Sequence, residues 1–528
     1  MTRRAGVLVP LFSIPSRRSW GIGEIGDIEP MTQWLAAAGQ RILQLLPINE
    51  MPRHESSPYS ALSAMAIDPQ FVTMDHVEDF VESGGEAALA PADRATLEEV
   101  RSAPRIRYAD VRRLKREGLA RSFRRFDKVE FGKGTRREAA FKAFIAEQSW
   151  WLDDYALFSV LRTRYGRSWT SWPAPFRSRR ADALARARAE LARPIRFRQY
   201  VQWLADDQWK TARGRAGGVA LFGDLPFMVG VDSVDVWSHQ DEFRLDASVG
   251  VPPDAFSETG QDWRLPLYRW DVLQQRDFDW LRHRAVRNAH LFDACRVDHL
   301  VGFYRTYFRP LDGSPPQFSP PDEPLQVALG EQVLRAFRES GPEIFAEDLG
   351  VVPDFVRASM VRLSIAGYKI LRWERHWNTE GQPFSDPADY PALSVATSGT
   401  HDTESMATWW RELPIEQRRA VMNIPSVRDR LRVDDREDVE APGLPPAIRT
   451  ALLEALFASG SDSLILPIQD LFGWTDRINQ PATISALNWT WRLPWLSDRL
   501  LVEEEPVAMA VRAAEWARRY QRQGDVRP

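Results

Sequence analysis

The chain has 528 residues, enough for one large barrel with insertions or about three ordinary domains. Its net charge of −4, from 69 Lys+Arg against 73 Asp+Glu, gives neither a basic surplus for nucleic acid nor an acidic solvating tail, and so points to a neutral ligand. The lone cysteine, Cys295, excludes an internal disulfide and any CxxC site, no apolar run approaches the ~20 residues of a membrane span, and no signal-length core follows Met1; a soluble, cytoplasmic protein is expected.

Residues 5–11 read as a first buried strand, followed by a loop carrying Ser19-Trp-Gly-Ile-Gly. Residues 28–39 have a helical apolar face that stops at Gly39, and 41–48 form a second strand, close enough for a βαβ unit. The next loop holds Ser57-Pro-Tyr-Ser, with Tyr59 placed to stand exposed at a turn. From 70 to 212 the texture is charged and helical, which predicts a mainly helical insertion between the second and third strands. Its Arg-rich run 121–137 is interleaved with Asp, Glu and Phe, as in a solvated helix face. Strand texture returns at 219–227; residues 228–276 then form a long insertion expected to frame a substrate, and a helix over 277–291 follows. Further short apolar runs at 292–300, 343–350, 368–374, 393–402 and 464–470 alternate with helices. The Pro-rich stretch 314–324 reads as a stiff loop above the barrel. Eight strand–helix units imply parallel pairing and a closed (β/α)8 TIM barrel, with residues 1–528 forming a single catalytic unit.

The regularity that carries function is the placement of polar residues at the C-terminal ends of these runs: Asp224, Asp298, Glu347, His401 with Asp402, and Asp470. In such a barrel that end is the active-site face. Side-chain alternation puts Arg296 and Asp298 on one face of their strand, where the guanidinium keeps the carboxylate ionised for attack or cation stabilisation. Glu347 has Phe345 two residues before it, Asp348 beside it and no cation in its own strand, so a raised pKa and a general acid/base role are expected. Glycosidic-bond chemistry needs such a pair, about 5 to 5.5 Å apart when configuration is retained. Asp402, preceded by His401, is expected to hold sugar hydroxyls. Metal chemistry is disfavoured because there is no HxH or HExxH and the 8 histidines are scattered, and no Gly-rich loop marks a phosphate site.

These residues resemble those of the 4-α-glucanotransferases, also called amylomaltases or disproportionating enzymes, within the α-amylase-like barrels. The likeness spans most of the chain: Ser19-Trp-Gly-Ile-Gly, Ser57-Pro-Tyr-Ser, Gly223-Asp-Leu-Pro, Asp232-Ser-Val-Asp-Val-Trp, Gly250-Val-Pro-Pro-Asp254, Arg296-Val-Asp-His299, Ala346-Glu-Asp-Leu-Gly, Gly399-Thr-His-Asp402 and Asn488-Trp-Thr-Trp-Arg. The resemblance implies transfer of α-1,4-glucan segments between maltooligosaccharides by double displacement, without metal or cofactor and without a separate C-terminal β-domain. It assigns Asp298 as nucleophile, Glu347 as acid/base and Asp402 as transition-state stabiliser. It also implies that Arg296, His401, Asp224, Tyr59, Trp263, His299 and Asp254 line the sugar subsites. Four positions depart from the family's usual pattern: Trp263-Arg-Leu-Pro replaces Trp-Gly-Asn-Pro, Thr403 replaces Asn, Val301 replaces Arg, and Arg477-Ile-Asn-Gln-Pro-Ala replaces Arg-Met-Asn-x-Pro-Gly. None removes a carboxylate. They bear on chain length, acceptor choice and the balance of transfer against hydrolysis. A hydrolase of the same barrel and a non-catalytic glucan-binding protein are the alternatives.

Overall fold

Eight short apolar strands pair in parallel and close on themselves. They are β1 (Arg4–Leu8), β2 (Ile42–Gln44), β3 (Ala220–Leu225), β4 (Ala294–Val297), β5 (Glu343–Ala346), β6 (Ala366–Ile370), β7 (Ser394–Thr397) and β8 (Ser463–Pro467), and each neighbours its predecessor until β8 meets β1. This computed structural model describes residues 3–166, 168–253, 260–481 and 483–524. The strands are buried along nearly their whole length because helices cover the outside and side chains fill the inside, which is why they read as continuous apolar runs rather than alternating ones. Inside, Phe222 and Phe345 pack with ring centroids 5.0 Å apart, and Gln44 Nε2 donates to the Tyr368 hydroxyl at 3.4 Å. Gly6 has no room for a side chain, since a Cβ there would lie 2.4 Å from that of Ile42 on the paired strand.

All eight expected strands are present, with shifted ends. The sixth spans 366–370 rather than 368–374, because Gly367, which reads as a turn residue, is a strand position: its missing Cβ leaves space for the Asp348 carboxylate, which accepts from the Tyr368 N–H at 2.8 Å. The first helix runs Ile28–Ala37 and ends at Gly39 with φ 68°, the left-handed turn expected there. The helix before β4 begins at Asp279 rather than 277, after Asp277 and Phe278 both take positive φ.

Residues 78–214 are dominated by helices, the longest being Tyr108–Val129, Arg136–Tyr165 and Ala192–Gly214, packed through Phe126, Phe141, Tyr200 and Trp203. The Arg-rich run is ion-paired and hydrogen-bonded: Arg125 and Arg137 both hold the buried Asp79 carboxylate, at 2.7 and 2.6 Å, and Arg121 donates to the Gly85 carbonyl. One junction of these helices to the barrel is ionic and fully buried. Lys115 reaches Glu24 at 2.5 Å in the loop after β1, and Asp27, whose pKa burial pushes up to about 8, accepts from the Glu24 N–H.

Part of the segment expected as loop is a four-stranded antiparallel sheet above the barrel mouth, formed by Phe243–Val251, Gln261–Tyr268, Thr306–Pro310 and Gln317–Ser319. The Pro-rich stretch supplies the last of these strands and then the start of an 18-residue helix, Glu323–Ser340, with Asp322 as N-cap and Pro324 in its first turn.

Candidate active site

The C-terminal ends of β3, β4, β5 and β7 bring Asp224, Arg296, Asp298, Glu347, His401 and Asp402 together. Arg296 is the hub. It projects from the penultimate position of β4, is 5 % exposed, and places Nη1 2.8 Å from Asp298 Oδ1 and 2.8 to 2.9 Å from both oxygens of Asp224. Burial alone would favour its neutral form, but the two carboxylates outweigh that and hold its pKa well above the ordinary arginine value. Asp298 follows directly on the strand, keeps an exposed edge, and has its N–H fixed on the Leu225 carbonyl at 3.0 Å.

Glu347 stands one residue beyond β5. Burial pushes its carboxyl up to about 7; Arg296 opposes the shift, and Asp298 and Asp348 add to it. The opposing cation therefore comes from the neighbouring strand, not from its own. The His299 N–H donates to Glu347 Oε2 at 2.7 Å, and His299 adopts a left-handed φ of 47° to present that donor. Its imidazole is pushed down to about 4 by burial, so it is neutral at pH 7. Trp263 meets the His299 ring edge-on at 4.8 Å.

On the opposite side, the Tyr59 hydroxyl donates to Asp224 Oδ2 at 2.7 Å and lies 3.0 Å from His401 Nε2, with the two rings stacked at 5.4 Å. His401 Nε2 lies 3.3 Å from Asp402 Oδ2. Burial disfavours the charge on both partners, yet their mutual attraction wins: the pKa of His401 is raised and that of Asp402 falls well below the usual carboxylate range. The turn that presents this pair is fixed by Thr403, whose hydroxyl accepts from the Thr400 N–H at 3.0 Å and donates to the Thr400 carbonyl at 3.1 Å. Thr403, which stands where the family usually has Asn, is thus the side chain that closes the turn.

Trp263 owes its position to a β-bulge. Gly250 pairs with Asp262 and Val249 with Leu265, so Trp263 and Arg264 are extra residues on their strand, and Arg264 takes φ 56°. Glycine adopts that conformation freely, whereas a side chain there costs about 1 to 2 kcal/mol. Ser248 and the Arg264 N–H both bond Asp262 Oδ1, which holds the bulge.

Three residues were not read from the sequence as part of the site. Asn479 Nδ2 donates to Asp402 Oδ1 at 2.6 Å, and Arg477 spans from the Asp402 carbonyl, at 2.5 Å, to that of Asn479, at 2.6 Å. Trp489 packs its ring 5.8 Å from Tyr59 and 5.9 Å from His401. All three lie in the Arg477 and Asn488 runs singled out as motifs, and that was the available signal. Conversely, Asp470 does not face the mouth. It is 1 % exposed and bonds the Ser398 hydroxyl at 2.5 Å and the Met406 N–H at 2.6 Å, tying β8 to the segment after β7. Asp254 lies outside the described residues. Among the described residues, no group of three or more His, Cys, Asp or Glu side chains is arranged to hold a metal ion.

A closed parallel barrel with an arginine-paired carboxylate, a high-pKa carboxyl and a third acid at its mouth is the framework of an enzyme acting on glycosidic bonds. The sequence signature described as 4-alpha-glucanotransferase matches residues 9–497, and the chain belongs to that family. The 4-alpha-glucanotransferase of Thermus thermophilus is 32 % identical over 516 residues, covering 93 % of this chain and 95 % of that one. The 4-alpha-glucanotransferase of Chlamydia caviae is 29 % identical over 507 residues, covering 94 % and 92 %. The amylomaltase from Streptococcus agalactiae, solved in complex with acarbose, superposes with a TM-score of 0.82 at 26 % identity, covering 99 % of this chain and all of the other. No helix among the described residues is long and apolar enough to cross a membrane.

Proposed function

We propose that the enzyme transfers α-1,4-glucan segments from a donor to the 4-OH of an acceptor glucan or glucose by double displacement, with no metal or cofactor. Asp298 attacks the anomeric carbon, and the bond to the departing chain breaks as Glu347 gives its proton to the leaving oxygen. Asp402, held with His401, stabilises the positive charge developing at the sugar. Glu347 then takes the proton of the incoming hydroxyl while the acceptor displaces Asp298. The observation that carries this reading is the contrast between two neighbouring carboxyls. Asp298 is paired with Arg296 at 2.8 Å and is suited to attack, whereas Glu347 is pushed up to about 7 and is suited to hold and move a proton near neutrality.

Tyr59, Asp224, Arg296, His401, His299 and Trp263 would contact the sugars, and Asp254 joins them from the same insertion as Trp263. The segment 228–276 frames the acceptor side of a single catalytic barrel spanning 1–528, with the helical insertion at 70–212 beside it. The buried, unpaired Cys295 suits a reducing cytoplasm.

Incubation with maltotriose, resolving products by size and counting reducing ends, tests the proposal. Glucose plus a ladder of longer oligosaccharides at constant reducing ends is expected. Rising reducing ends without longer products would replace transfer by hydrolysis, and no change would overturn both.

A further inference from the structure

Inside the barrel the strand registers stack side chains in layers, and one layer lies under the carboxyls of the site. Gln44 on β2 is aligned with Phe222 on β3 and through it with Ala294 on β4. The stagger of a closed (β/α)8 barrel, about one residue per strand, brings Arg296 to the height of Gln44. The same step from Arg296 through Phe345 and Ala366 reaches Tyr368 on β6, and from Tyr368 through Val395 and Ser463 it reaches Ile465 on β8. From Ile465 it passes through Gly6 and Ile42 and returns to Gln44, so these four side chains form one closed layer from alternate strands. Two contacts fit this layering. Gln44 Nε2 reaches the Tyr368 hydroxyl across the barrel at 3.4 Å, and Phe222 and Phe345, which the registers put in the layer beneath, pack ring to ring. Asp224 and Glu347, each two residues beyond those phenylalanines, belong to the layer above.

All four side chains of the layer are buried, and two of their polar atoms have no hydrogen-bond partner among the described residues: Arg296 Nε, a donor, and Gln44 Oε1, an acceptor. Buried polar groups of native proteins are paired with protein or with ordered water, so two complementary orphans in one layer call for a shared partner. Burial holds the Tyr368 hydroxyl protonated, well above its ordinary pKa, so it can accept from Gln44 and still has a proton to give. A donor, an acceptor and a hydroxyl around one point are what a buried water needs. The bonds of Arg296 to Asp224 and Asp298 all pass through Nη1. A planar group held at one corner can turn about that corner, and a second hold at Nε fixes its plane.

We propose that Gln44, oriented by Tyr368, is a positioning residue for the reaction: one buried water accepts the Nε–H of Arg296 and donates to Gln44 Oε1, and this hold from below sets the direction in which the guanidinium meets Asp298. The role rests on Asp298 being the nucleophile. Gln44 and Tyr368 touch no sugar in it; they act through Arg296.

A crystal structure of the free, full-length protein that shows ordered waters tests the bridge without any turnover. One water within about 3.2 Å of both Arg296 Nε and Gln44 Oε1 is expected, and density that places no water against both atoms overturns the bridge. The role is tested by Gln44→Met, which keeps the side-chain length and loses both amide atoms, and by the milder Tyr368→Phe, which removes only the hydroxyl that orients the amide. In folded variants, kcat for maltotriose should fall about tenfold in Gln44→Met and about threefold in Tyr368→Phe, with KM unchanged. The same losses are expected with α-maltotriosyl fluoride as donor, because fluoride leaves without a proton from Glu347 and the attack of Asp298 is read directly. Variants within about twofold of wild type on both donors overturn the role, as does a loss confined to KM or one that the fluoride donor fully restores. A wild-type enzyme that acts on neither donor overturns the glucan-transfer reading and the role together, a result distinct from any seen in the variants alone.

Discussion

Replacing Asn479 by alanine removes one defined interaction from the reaction centre. Its amide donates to Asp402 Oδ1 at 2.6 Å, a charge-assisted bond of the kind worth about 1.5 to 3 kcal/mol. If Asp402 works in the transition state, losing that bond lets the carboxylate swing and weakens stabilisation by up to that amount, so kcat/KM for maltotriose should fall between about tenfold and about a hundredfold. The loss should appear chiefly in kcat. Initial rates of maltotriose disproportionation over a range of substrate concentrations measure both parameters. A variant within about threefold of wild type would refute the assignment of Asp402 as a carboxylate positioned by Asn479.

Asp298→Asn is expected to abolish turnover while maltooligosaccharide binding persists; substantial turnover in a preparation free of wild-type enzyme would remove Asp298 as nucleophile. Because Glu347 must carry its proton to cleave the donor and its pKa is about 7, kcat/KM should decline as pH rises through that value. A basic limb that survives in Glu347→Gln would assign it to another group. Lys115→Met should destabilise the fold by about 3 to 5 kcal/mol, since it strands the buried Glu24 carboxylate. Adding Glu24→Gln should recover part of that loss in a melting experiment, and a double variant no more stable than the single one would contradict the pairing.

The barrel was legible because its strands are enclosed on both faces, so each reads as an apolar run ending abruptly in a polar residue. Asp224, Asp298, Glu347 and Asp402 follow from that pattern alone. Asp470 shows its limit: it has the same sequence context but folds back onto Ser398 and the N–H of Met406, and strand texture cannot tell a carboxylate facing the mouth from one turned under it. The sheet above the mouth was hidden because Phe243–Val251 and Gln261–Tyr268 mix exposed and buried positions around a bulge, which breaks the two-residue period a strand shows. Asn479 and Trp489 come from irregular segments, where sequence spacing carries no information about which strand end they approach.

Arg296 pairs with Asp224 and Asp298 at once. In the proposed cycle, Asp298 loses its negative charge when it becomes a glycosyl ester. A guanidinium with that single partner would then be left buried and uncompensated, at a cost of several kcal/mol, and the intermediate would be correspondingly short-lived. Asp224 removes that instability. It keeps the cation neutralised through both halves of the reaction, so the ester can persist while one sugar departs and another arrives. In that cycle a carboxylate other than the nucleophile sets how long the enzyme can wait for an acceptor.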